Sequence, residues 1–168
     1  MKQTILIALK LAIEMLYKND VKIFDSKNHI GERNLTFRLG HYLANILEQC
    51  FPQYNLDCEY NRNGENIKTL CSRGNVVPDI IFHKWLDTSK ENNILIIEVK
   101  GHWGNENEKA DDIARIKEFC DPCGEYAYKF GFFLVLGKTL DDCQIKYYEN
   151  GNLLIDKSYN NFFGNLLV

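Results

Sequence analysis

Apolar residues recur along this chain with two periods, and the change of period separates helices from strands. Ile5, Leu9, Ala12, Ile13 and Leu16 make one helical stripe. Leu35, Leu39, Leu43, Ile46 and Cys50 make another, predicting an amphipathic helix over 33–50. The period then drops to two. Leu56, Cys58 and Tyr60 alternate with Asp57, Glu59 and Asn61, so 56–61 reads as a half-buried first strand in which Glu59 faces solvent. Two β-branched segments, 77–83 and 94–100, read as strands joined by the polar loop 84–93. A helix is predicted over 108–120, with Ala110, Ile113, Ile116 and Cys120 inward and Asp111–Arg115 as an i, i+4 pair. The apolar run 130–136 closes a strand predicted over 126–136, parallel to the 94–100 strand through that helix. Asn150-Gly151 signals a hairpin between 144–149 and 153–156, and the apolar end of 160–168 is expected to dock. The order predicts an α/β protein with a mixed central sheet flanked by helices.

Residues 94–97 are apolar on both faces, as in a strand covered on both sides. Glu98 and Lys100 continue that buried stripe with charge. They would be ordinary solvated residues if the strand emerged into water there. Folding 77–83 against 94–100 as an antiparallel hairpin, however, places His83 opposite Ile94, Ile81 opposite Ile96 and Asp79 opposite Glu98. Two carboxylates directly opposed, about 4.5–5.5 Å apart, repel unless a cation lies between them. A divalent metal ion answers that need. Glu32 lies on the stripe of the second helix at its N-terminal end. It complements the helix dipole there, and it also points the way the core does.

Pro78-Asp79 followed by Glu98-Val99-Lys100 resembles the PD-(D/E)xK signature of the restriction-endonuclease-like nuclease superfamily. The resemblance spans about residues 32 to 136. It implies the restriction-endonuclease-like fold and Mg²⁺-assisted hydrolysis of DNA phosphodiester bonds, with Mn²⁺ as a substitute. Asp79, Glu98 and the carbonyl of Val99 would ligate the metal, and Lys100 would orient water and offset charge. Glu32-Arg33 resembles the Glu-Arg pair of the superfamily's Holliday-junction-resolvase branch, which adds Glu32 to the metal site. Arg33 is then a phosphate contact or a solvated surface residue. Arg115 or Lys117 is a cation aimed at the scissile phosphate or a surface ion pair. His102, two residues past Lys100, is a substrate or water contact or a loop residue without a role. Trp103 offers a face for base stacking or a cap on the core.

The chain has 168 residues, 45% hydrophobic and 26% charged, consistent with one globular domain over 1–168. Its formal charge of −3 argues against strong nonspecific nucleic-acid binding, although metal-binding carboxylates account for part of it. Arg62, Lys68 and Arg73 precede the Asp79 strand, and Lys84 and Lys90 lie in the hairpin loop; both sets read as solvated. Sequence recognition would come from loops, a homodimer or a partner protein. Lys10 and Glu14 interrupt the first apolar segment, so no signal peptide or membrane span is predicted, and a cytoplasmic location is expected.

Six cysteines are then expected as free thiols, with Cys50 and Cys58 in the core. The CxxC at Cys120 and Cys123 leaves three readings: half a zinc site, a redox pair, or packing at a helix end. Two other functional classes stay open beside the nuclease. One is a module that keeps the fold without catalysis and binds a protein or nucleic-acid partner. The other is a zinc or redox protein built on those cysteines.

Overall fold

A computed structural model describes residues 1–164. The helices are α1 (Lys2–Asn19), α2 (Glu32–Cys50), α3 (Glu106–Phe119) and α4 (Tyr159–Gly164). The strands are β1 (Asn55–Cys58), β2 (Arg62–Asn63), β3 (Asn66–Ile67), β4 (Thr69–Leu70), β5 (Gly74–Asn75), β6 (Ile80–His83), β7 (Asn93–Gly101), β8 (Phe130–Leu136), β9 (Gln144–Glu149) and β10 (Asn152–Ser158). Six of them form one mixed sheet in the order β1-β6-β7-β8-β9-β10. Only β7 and β8 run parallel, and α3 is the crossover between them. The chain is therefore an α/β protein with a mixed central sheet flanked by helices, as the alternation of periods requires.

Strand β7 is apolar on both faces because both faces are covered. Leu95, Ile97 and Val99 pack in one core with α1 and α2, whose buried residues include Ile5, Leu9, Ile13, Leu35, Leu39 and Leu43. Ile96 packs on the other face with Ile81, Ile116, Phe119, Phe133 and Tyr148. Helix α3 closes that second face tightly. A Cβ on Gly131 would lie 2.7 Å from both Cys120 Sγ and Ile116 Cγ2.

Several local expectations are corrected. His83 pairs with Asn93 and not Ile94, because the register shifts at the end of the hairpin. That irregularity lets Ile94 join Leu95 in the α1–α2 core. The stripe of α2 runs through Tyr42 and Leu47 and leaves Cys50, the last residue of the helix, exposed. Cys58 packs partly buried against the same core. Strand β1 stops at Cys58, where Glu59 takes a left-handed φ of 53°. In α3 the inward residues are Asp112, Ile116 and Phe119, whereas Ala110 is exposed. Strand β8 begins at Phe130; Tyr126 and Tyr128 before it are buried but outside the ladder.

The hairpin at Asn150-Gly151 has positive φ at both residues, 50° and 76°, the geometry its sequence requires. Strand β10 carries a register shift between Leu153 and Ile155. Tyr159, Phe162 and Phe163 of α4 are buried, so the C-terminal segment docks; residues 165–168 lie outside the described residues. Among the described residues no helix is long and apolar enough to cross a membrane.

Gly131→Ala should force α3 away from the sheet and cost about 1–3 kcal/mol of stability in chemical denaturation. An unchanged midpoint would mean that α3 is not seated as described.

Candidate active site

The hairpin brings Asp79 and Glu98 together. Ile80 pairs with Ile97, so the same register carried one residue further sets Asp79 opposite Glu98. Asp79 Oδ2 accepts the Val99 N–H at 2.7 Å, and the Asp79 carbonyl accepts the Glu59 N–H at 3.0 Å. These bonds fix the acid at the mouth of β6. Glu98 is fully buried. One of its oxygens, Oε2, takes a bond from Arg115 Nη2 at 2.8 Å. The other, Oε1, is buried with no donor among the described residues.

Lys100 lies on the same face of β7, two residues on. Its ammonium donates to Glu32 Oε2 at 2.9 Å and lies 3.3 Å from Asp112 Oδ2 and 3.9 Å from Glu108 Oε2. Glu32, at the start of α2, reaches around the end of β7: its Oε1 also accepts the Gly101 N–H at 3.2 Å. Glu32 thus holds the lysine and the turn after it. The acid in contact with Arg115, alongside Glu98, is Asp112 of α3.

Asp112 was not singled out from the sequence. The i, i+4 spacing assigns Arg115 to Asp111. In the structure Arg115 bonds Asp112 at i, i+3, while Asp111 pairs with Arg73 at 3.3 Å. Both spacings put residues side by side on a helix. The signal that separates them is that Asp112 shares a face with Ile116 and Phe119, the residues that seat α3 on the sheet.

The other candidates are placed as follows. Arg33 is exposed and bonds Glu59 at 2.7 Å. Lys117 is exposed on α3. His102 is partly buried, its ring edge-on to Trp103 at 4.8 Å. Lys68 is no solvated loop residue: it is buried over the Tyr126 ring, 4.6 Å from its centroid. Burial brings its ammonium down to about 8 against the opposing pull of Glu125. Cys120 is buried and Cys123 exposed, and burial pushes the Cys120 thiol up to about 12. A thiol so raised stays protonated at neutral pH, which disfavours Cys120 as a nucleophile. Among the described residues no group of three or more His, Cys, Asp or Glu side chains is clustered as a metal site.

Electrostatically, five carboxylates (Glu32, Asp79, Glu98, Glu108 and Asp112) share two cations, Lys100 and Arg115. Burial, and next the charge of Asp79, hold the Glu98 carboxyl well above its usual range despite Arg115. Burial likewise raises Asp79 and Asp112. Burial alone would lower the Lys100 ammonium, but Glu32 and Asp112 outweigh it and the net shift is upward. The cluster is short of positive charge. Its free donors are carboxylate oxygens, the type a hard divalent cation selects, and the unpartnered Glu98 Oε1 is among them. The donor chemistry suits such an ion, although the side chains as placed form no three-ligand group among the described residues.

No protein-family model and no curated protein matches the chain. One solved structure does: a chain of the DrdV–DNA complex determined by cryo-electron microscopy, with a TM-score of 0.55 and 13% identity. The match covers 94% of this chain but only 13% of that one, so this chain corresponds to a small part of its neighbour. The likeness concerns the fold: an α/β layer with a mixed sheet, which also occurs in a chain that is bound to DNA in that complex.

The raised acids make stability depend on pH with a definite sign. A carboxyl whose pKa is higher in the folded state binds more protons there than in the unfolded chain between the two values. Stability then falls as pH rises through that window. Metal-free protein should melt lower at pH 7.5 than at pH 5.5 through these groups, and Glu98→Gln should flatten the difference. Thermal melts in EDTA check this; a profile unchanged by the substitution would contradict it.

Proposed function

We propose that this chain is a divalent-metal-dependent nuclease that hydrolyses phosphodiester bonds in DNA, as the PD-(D/E)xK resemblance implies. The observation that carries the reading is the Asp79–Glu98 pair at one end of the central hairpin, Glu98 fully buried and Asp79 half-buried, with the Lys100 ammonium on the same face. The fold it shares with a chain of a DNA complex is consistent with this reading.

Asp79, Glu98 and the Val99 carbonyl would hold Mg²⁺, or Mn²⁺ in its place. When bound, the ion supplies Lewis-acid polarisation of the phosphoryl group and lowers the pKa of water. The chain's own residues do the rest. Val99 N–H and the backbone at Glu59 orient Asp79. Lys100 presents an ammonium that can orient the attacking water and offset negative charge as it develops on the phosphate. Glu32 positions Lys100 by gripping both its ammonium and the next backbone amide. It lies farther along the strand than the acid pair, so its contribution to the metal site is through the lysine or through water. Arg115, held by Glu98 and Asp112, offsets negative charge at the site, and its guanidinium would be the cation of α3 to meet a phosphate there. Arg33 and Lys117 are exposed and offer outer phosphate contacts at most.

One observation favours a second reading. Arg115 and Lys100 already pair with most of these acids, and such a self-neutralised cluster could also serve a non-catalytic module that binds a partner. Metal binding separates the two, because only the nuclease needs the ion.

Purified protein with Mg²⁺ or Mn²⁺ should cleave at least one of duplex, single-stranded or branched DNA, with RNA as the comparison. Glu98→Ala and Lys100→Ala should each lower the rate by about 100-fold or more, the scale on which a charge-stabilising group acts. Glu32→Gln should lower it less, since the amide still accepts a hydrogen bond. Cleavage unaffected by the first two substitutions, or no Mn²⁺ binding in calorimetry, would remove the assignment.

A further inference from the structure

Beyond Lys100 the chain turns through Gly101 and Gly104 and meets the segment that precedes α2. Between them lies a cavity of about 380 Å³. That is within the range of small-molecule sites, roughly 300–1,000 Å³. Ile23, Ile30, His29, His102 and Trp103 line it, together with the exposed Asp25. The Trp103 ring lies against Gly101, where a Cβ would come within 2.5 Å of it, yet 42% of the residue remains exposed.

The cavity adjoins the acid site. Gly31, which caps α2, is part of its wall. The next residue, Glu32, grips Lys100 and Gly101. A strand whose phosphate approaches Lys100 therefore has its neighbouring nucleotides within reach of Trp103. The lining selects which part of a nucleotide could enter. Asp25 repels a phosphate, whereas the aromatic and aliphatic walls suit a flat, neutral group.

We propose that this cavity receives an unstacked nucleobase of the strand held at the acid site, stacked on Trp103. The inference rests on the nuclease reading and narrows it to substrates with an unpaired or extruded base. Such a base leaves its helix at lower cost than a paired one.

The probe is a DNA duplex with one unpaired 2-aminopurine, titrated onto the full chain carrying Glu98→Gln so that cleavage does not intervene. Anisotropy of an end label reports binding, and 2-aminopurine emission reports stacking. The expected result is a saturable quench and tighter binding than to the fully paired duplex. Trp103→Ala should abolish the quench and weaken binding about tenfold, and Trp103→Phe should keep most of both. His102→Ala, which removes the ring packed edge-on against Trp103, should weaken binding, though less than Trp103→Ala. Far-UV circular dichroism confirms that each variant folds. Binding with an emission signal indifferent to Trp103→Ala and His102→Ala overturns the base pocket and leaves the nuclease reading standing. Equal affinity for free 2-aminopurine nucleoside overturns the link to the strand. No binding of any nucleic acid overturns both.

Discussion

The structure depends on keeping buried carboxylates compensated at one end of its central hairpin. Glu98 lies where an apolar residue would continue the pattern of β7, and Asp79 is beside it. Burying such charges unaided is costly. Arg115 from α3, Lys100 from β7 and the backbone amide of Val99 meet that cost together. Each has to be delivered by a separate element. The parallel β7–β8 pairing requires a crossover helix, and that helix is where Arg115 and Asp112 sit. The route of the chain and the electrostatics of the site are consequently one problem.

This arrangement also sets a division of labour between the two faces of the sheet. The α1–α2 face is built almost entirely of aliphatic and aromatic side chains and carries most of the packing. The α3 face is smaller, and its apolar cluster gives way to charge at Glu98, Lys100, Asp112 and Arg115. Glu32 belongs to a helix of the first face but acts at the end of the second, reaching round the strand terminus.

Much of this was legible in the sequence because period-two and 3.6-residue patterns are strong where a strand or helix is covered. The β6–β7 hairpin, the parallel β8, the Asn150-Gly151 turn and the approach of Asp79 to Glu98 all follow from local pattern. The failures share a cause, which is that periodicity fixes a face but not a partner. Asp111 and Asp112 both lie at helical spacing from Arg115, and only the docking of α3 on Gly131 chooses between them. Lys68 reads as a loop charge because nothing nearby in sequence announces that Tyr126 and Tyr128 will cover it. Cys50 continues the apolar spacing of α2, but it closes the helix, where the packed face has already ended. His83 missed its expected partner because a strand irregularity leaves no composition signal at Asn93-Ile94.

The register shift in β10 bears on how the molecule survives in a crowded solution. A six-stranded sheet ends in two unsatisfied rows of amides and carbonyls, and β10 adds exposed Leu153 and Leu154 to one of them. A flat ribbon of that composition would invite another chain to add itself as a seventh strand. The irregularity between Leu153 and Ile155 breaks the repeat there, and the exposed Lys157 puts a charge on the same edge. The feature that disturbs the ladder from within thus guards against its continuation into an aggregate.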